Sequence, residues 1–149
     1  MYYTIGLMDD AMKKVIAIRT GRHCVFNLHM HLVFVTKYRQ KVFSKEHLDF
    51  MQIIFNDVCV INKAQLIAFD GEVDHVHLLV NYPPQIAISK LVNSLKGVSS
   101  RLLRQQYSDI TKYYYQNKAL WSPSYFAASC GGAPLSIVKQ YIEQQKTPE

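Results

Sequence analysis

The stretch "AQLIAFDGEVDHVHLLV", Ala64 to Val80, most narrows what this chain can become. Its two apolar runs, "AQLIAF" and "VDHVHLLV", stand only Asp70-Gly71-Glu72 apart, where glycine permits the positive φ of a tight turn. A β-hairpin is the simplest outcome, and it places an antiparallel ladder in the middle of the chain. Whatever flanks it must supply a cover for that ladder.

The flanks read as helices. Ser44 is placed to cap a helix whose apolar positions, Leu48, Met51, Ile54 or Phe55, and Val58, recur at spacings of three and four and end near Asn62. After Pro83-Pro84, the series Ile88, Leu91, Val92, Leu95, Val98 and Leu102 marks one face of a second helix reaching about Tyr107. A strand near Val25 to Tyr38, containing "NLHMHLVFVTKY", precedes the first helix, and a short strand at "SYFAAS" follows the second. Gly131-Gly132 then breaks the chain, Pro134 suits a first helical turn, and "LSIVKQYIEQQ" forms a short terminal helix. The order βαββαβ predicts an α+β fold of the split βαβ, ferredoxin-like or RRM-like kind. Its antiparallel sheet carries both long helices on one face and leaves the other free for a site.

A chain of 149 residues with 49% hydrophobic content can bury one core, so a single domain is expected over residues 22–149, behind an N-terminal extension, 1–21, of no clear period. No run approaches the roughly 20 apolar residues of a membrane span, and no signal-peptide pattern opens the chain, so a soluble cytoplasmic protein is expected. Cys24, Cys59 and Cys130 show no C-x-x-C spacing, which suits a reducing compartment and neither a disulfide framework nor a zinc site. A formal charge of +6 and a pI near 9.2 favour a polyanionic partner.

Two H-x-H pairs lie in the strand runs, His75/His77 and His29/His31. Residues two apart in a strand point to one side, about 7 Å apart, so either pair can turn both imidazoles toward one ion. Spacing alone does not choose between them, nor between a metal site and ordinary strand histidines. In the terminal helix Tyr141 and Gln145, four apart, share a face, either packed and solvated respectively or bearing an oxygen ligand beside a tyrosine. Two histidines and one oxygen leave positions open for water and a phosphate oxygen, a set suited to Mg²⁺ or Mn²⁺ as a Lewis acid, and a tyrosine there is a usable nucleophile.

Taken together, "DHVHLLV" and "GGAPLSIVKQYIEQQ", with "NLHMHLVFVTKYRQKVF", "LKGVSSRLLRQ" and "LWSPSYF", resemble the single-tyrosine HUH transposases of the most compact bacterial insertion sequences. The likeness runs from about Arg22 to Gln145. It implies that His75 and His77 are the metal pair, Gln145 the third ligand and Tyr141 the nucleophile, and it leaves His29 and His31 a supporting or DNA-contacting part. Asp74 is expected on the opposite side of the strand, with no part in the chemistry. The implied activity is cleavage and rejoining of single-stranded DNA at hairpin-marked element ends through a 5′-phosphotyrosine, with Mg²⁺ or Mn²⁺. The implied unit is a homodimer whose tyrosine helix can act in trans. For the DNA backbone the sequence offers Lys37, Arg39 and Lys41 after the first strand, and Lys96, Arg101 and Arg104 on or near the exposed face of the second helix; each reads equally well as a plain surface charge. Tyr113 to Tyr115 and Trp121 are expected to pack in the core or loops. Two other readings compete: a domesticated relative that processes chromosomal repeat hairpins, and a non-catalytic RRM-like nucleic-acid-binding module.

Overall fold

Strand alternation and two amphipathic helices generate the architecture seen in a computed structural model, which describes residues 18–114, 119–129 and 142. Its elements are β1 (Arg19–Gly21), β2 (Cys24–Phe26), β3 (His29–Val35), α1 (Lys45–Ile61), β4 (Gln65–Gly71), β5 (His75–Asn81), α2 (Ile88–Gln106) and β6 (Phe126–Ser129). β1 and β2 form a small hairpin of their own. The other strands make a four-stranded sheet in the order β4-β5-β3-β6, with every neighbouring pair antiparallel.

The expected single strand from Val25 to Tyr38 is in fact two strands and a turn. β2 turns back on β1, so the ladder breaks at Asn27-Leu28 before β3 begins. Beyond Val35 the chain leaves the sheet, because Tyr38 and Arg39 both take the left-handed conformation, with φ of 58° and 55°. The β1–β2 hairpin is anchored to the sheet by Arg19, whose Nη1 donates to Asn81 Oδ1 at 2.6 Å.

α1 starts where the sequence puts it. Ser44 Oγ accepts from the His47 backbone N–H and His47 Nδ1 accepts from the Ser44 N–H, a reciprocal capping box with histidine in the place usually held by glutamate or glutamine. Its buried face, Met51, Ile54, Phe55, Val58 and Cys59, meets Leu91, Val92, Leu95 and Leu103 of α2 and the strand residues Met30, Leu32, Phe34, Val76, Leu78 and Val80 in one core. Both helices therefore cover the same face of the sheet. Burial pushes the Cys59 thiol up to about 12, and Cys24 and Cys59 are both free, while Cys130 lies outside the described residues. Tyr114 is buried with its hydroxyl donating to Ser100 O, Trp121 is buried with Nε1 donating to Ser99 Oγ, and Tyr113 packs at the core margin. Tyr115 lies outside the described residues.

The β4–β5 hairpin forms as expected, but Gly71 serves it differently. It ends β4 without a positive φ, and a Cβ there would stand 2.5 Å from Leu48 Cδ2 and 3.2 Å from Val76 Cγ1. A side chain at Gly71 would have to displace the Leu48 methyl of α1, so the glycine leaves room for Leu48, while Glu72 to Asp74 make the turn. Among the described residues no helix is long and apolar enough to cross a membrane.

Candidate active site

The sheet face turned away from the helices carries the histidines. On β5, Val76, Leu78 and Val80 enter the core, so His75, His77 and Leu79 point to the other side. Register places Val35 opposite His75 and Val33 opposite His77, which makes this face a mixture of imidazoles and fully buried valines. It is not the open face expected from the element order. Val33, Val35 and Leu79 have no exposed surface, and Ile142 and Phe126 pack against the two valines.

His75 and His77 do turn toward each other, with ring centroids 5.1 Å apart and planes at 80°. His31, on the neighbouring strand and diagonal to His77, joins them: its Nε2 lies 3.4 Å from His77 Nδ1. Burial, and then the positive charge that His75 and His31 can carry, pushes His77 down to about 3. Burial also lowers His31. Near neutral pH these two rings are therefore uncharged and keep a lone pair, the form in which imidazole binds a cation. His29, buried at the far end of β3, contacts Asn81 Nδ2 instead, through its Nε2 at 3.2 Å.

Asp74 corrects the sequence reading. It lies ahead of the first strand residue, so alternation does not fix its direction, and its Oδ1 accepts from His75 Nδ1 at 2.7 Å. Its Oδ2 accepts from Arg39 Nε, also at 2.7 Å. Burial by itself would raise the Asp74 carboxyl, but the hydrogen bonds from His75 and Arg39, with their charges, outweigh it and hold the group below the usual carboxylate range. No short-range sequence signal could reveal this bridge, because Arg39 and Asp74 are 35 positions apart.

The basic candidates lie on two segments, the stretch after β3 and α2. Lys37, Arg39 and Lys41 lie on the segment after β3 that is bonded to Asp74, with Lys41 exposed and Lys37 Nζ 5.5 Å above the Tyr38 ring. Arg101 and Arg104 are exposed on α2, the second with its guanidinium 5.3 Å from the Tyr114 ring, on the helix side away from the histidines. Lys96 is built into the fold, its Nζ donating to Ser122 O at 2.6 Å and Ser124 O at 3.0 Å. Tyr141, Gln145 and Gly131-Gly132 lie outside the described residues. The residue after Tyr141, Ile142, sits on the histidine face.

Chemically, the described residues supply two strand histidines suited to one cation, and among them no group of three or more His, Cys, Asp or Glu could hold a metal. With Nδ1 committed to Asp74, His75 presents Nε2, and His77 is held neutral, so both fit the demand of a metal for an imidazole lone pair. A cation held there would need further ligands from other residue types or from outside this set.

The antiparallel α+β sheet bearing His-Val-His on the face opposite α1 and α2 defines the class, and the family model described as "Transposase IS200 like" matches residues 24–145. The chain belongs to this family of IS200-like, single-tyrosine HUH transposases. Among individual relatives it is 33% identical over 132 residues to the ISDra2 transposase TnpA of Deinococcus radiodurans, spanning 89% of this chain and 94% of that one. It is 29% identical over 130 residues to the transposase for insertion sequence element IS200 of Salmonella typhimurium, at 85% of each. A crystal structure of a Deinococcus radiodurans protein described as a transposase superposes with a TM-score of 0.76 at 33% identity, covering 85% of this chain and 97% of that chain. A REP-associated tyrosine transposase bound to a REP hairpin shares the fold at a TM-score of 0.52 and 10% identity, over 84% of this chain and 68% of that chain.

Proposed function

We propose that this transposase cleaves and rejoins single-stranded DNA at hairpin-marked insertion-sequence ends, with Tyr141 as nucleophile and His75, His77 and Gln145 as ligands of Mg²⁺ or Mn²⁺. The observation that carries the reading is the paired orientation of His75 and His77 on one sheet face, the first oriented by a carboxylate and the second held neutral. The split βαβ reading of the fold rests on the element order β3-α1-β4-β5-α2-β6 and the sheet order β4-β5-β3-β6.

In this reading the Tyr141 hydroxyl gives up its proton and attacks the scissile phosphorus. The bond from phosphorus to the 3′ oxygen breaks, that oxygen takes a proton to become a free 3′-OH, and the phosphate stays on Tyr141 as a 5′-phosphotyrosine. The 3′-OH of a second strand reverses the step and restores a phosphodiester, so no water is consumed and the bond energy is kept. His75, His77 and Gln145 would hold the cation, which when bound would supply positive charge to the phosphate oxygens. His75 and His77 hold their positions through the β3–β5 ladder, and Ile142, the residue after Tyr141, packs against Val33 and Val35. Lys37 and Lys41 are offered to the DNA backbone, together with Arg101 and Arg104 on α2. The unit is a homodimer in which the tyrosine segment of one protomer can complete the site of its partner.

Sequence similarity is with the insertion-sequence transposases, at 33% and 29%, whereas the REP-associated protein shares fold alone, which favours an insertion-sequence enzyme over a repeat-processing relative. The test is incubation with end-labelled single-stranded hairpin DNA and Mg²⁺, followed by denaturing electrophoresis. A covalent protein–DNA adduct is expected from the native chain and none from Tyr141→Phe. An adduct that persists in Tyr141→Phe sinks the assignment of the nucleophile.

A further inference from the structure

We propose that Asp74, braced by Arg39, is a positioning residue that locks the His75 ring so that Nε2 faces the metal site. The inference deepens the proposed function and rests on its reading of His75 as a ligand.

Both carboxylate oxygens of Asp74 are engaged, Oδ1 by His75 Nδ1 and Oδ2 by Arg39 Nε, each at 2.7 Å, and its side chain is only 8% exposed. A carboxylate only accepts, so Nδ1 of His75 donates to it and Nε2 is the ring nitrogen left to face a cation. The same contact fixes the ring's rotation about its side-chain axis. The backbone around Asp74 is held as firmly. Thr36 donates its N–H to Asp74 O at 2.9 Å, its hydroxyl lies 2.7 Å from Gln40 O and 3.2 Å from the same Asp74 O, and Val73 O accepts from the N–H groups of Val42 and Phe43. The segment from Thr36 to Phe43 is thus stapled beneath the start of β5.

Backbone conformation gives a second, independent sign. Tyr38 and Arg39 are consecutive residues with side chains in the left-handed region, each at a cost of about 1–2 kcal/mol. Such strain persists where the surroundings over-determine it, and it concentrates at functional sites. Here it belongs to the turn that delivers the Arg39 guanidinium to Asp74. The arrangement gives Arg39 a task inside the protein, acting on His75 through the carboxylate.

A merely structural ion pair would brace the loop without governing the imidazole, and histidine ¹⁵N NMR of the metal-free protein separates the two. His75 of the native chain is expected to be protonated at Nδ1 and bare at Nε2. In Asp74→Asn, which keeps the size and the backbone contacts, the amide can accept from or donate to Nδ1, so a mixture of the two tautomers is expected. Mn²⁺ titration followed by electron paramagnetic resonance should then show binding weakened about tenfold in Asp74→Asn and toward about a hundredfold in Asp74→Ala. An Asp74→Asn protein with the native His75 tautomer and native Mn²⁺ affinity overturns the proposal. Should the native chain show the locked tautomer, and Asp74→Asn lose it, without either binding Mn²⁺, the positioning role stands and the metal reading of the site fails instead.

Discussion

Two faces of the same pair of strands do opposite work. On the helix side Met30, Leu32 and Phe34 of β3 and Val76, Leu78 and Val80 of β5 are buried without a polar side chain among them. One residue further along each strand, the other side mixes His31, His75 and His77 with Val33, Val35 and Leu79. The imidazoles lie among these buried valines, and burial, followed by the charge that His75 and His31 can carry, depresses the protonation of His77. Period-two alternation lets one backbone carry both a stabilising face and the proposed chemical one, so mutations on the two sides should separate stability from activity.

The largest effect tests the stabilising face. Phe55 has no exposed surface and stacks edge-on against Phe34 and Phe69, with centroids 6.0 Å and 5.7 Å away. Phe55→Ala should lower the unfolding free energy by about 3–5 kcal/mol in a urea titration, while the molecules that remain folded keep their rate of adduct formation. The next effect reverses the pattern. His77→Ala should reduce adduct formation about a hundredfold, equivalent to about 2.7 kcal/mol of barrier, and change stability by about 1 kcal/mol or less. Comparable losses of stability in Phe55→Ala and His77→Ala would erase the distinction between the faces.

Much of this was legible in the sequence because it rests on local pattern. Ser44 announces α1, and the apolar spacing from Ile88 to Leu102 marks the buried side of α2. The hairpin and the shared direction of His75 and His77 follow from alternation over a few residues. What escaped depends on contacts between distant positions or on backbone conformation without a glycine to signal it. Tyr38 and Arg39 adopt left-handed angles that their identities argue against, and they end the first strand early. Arg39 meets Asp74 only after folding, which is why Asp74 looked idle. Gly71 has the residue type of a turn but the task of a close contact with Leu48. His31 gains its place beside His77 from the β3–β5 register, and nothing in "HMHLVFV" alone distinguishes it from His29, which ends on Asn81.

The smallest effect probes how the histidine face would receive Tyr141, the proposed nucleophile. Ile142 is buried against Val33 and Val35, and these strand residues stand directly opposite His77 and His75 in the ladder. This small cluster, with Phe126 at its edge, is far smaller than the core on the helix side, so Ile142→Ala should disturb global stability little. Tyr141 is its chain neighbour, however, and successive Cα atoms are only about 3.8 Å apart. If that apolar contact brings the phenol to the phosphate, loosening it removes part of the positioning that makes attack effectively intramolecular. Adduct formation by Ile142→Ala should then fall about tenfold, or about 1.4 kcal/mol, with Mn²⁺ affinity at the histidines unchanged because Ile142 offers no ligand atom. A native adduct rate in this variant would show that the valines serve the imidazoles alone, and that the tyrosine is delivered by other contacts.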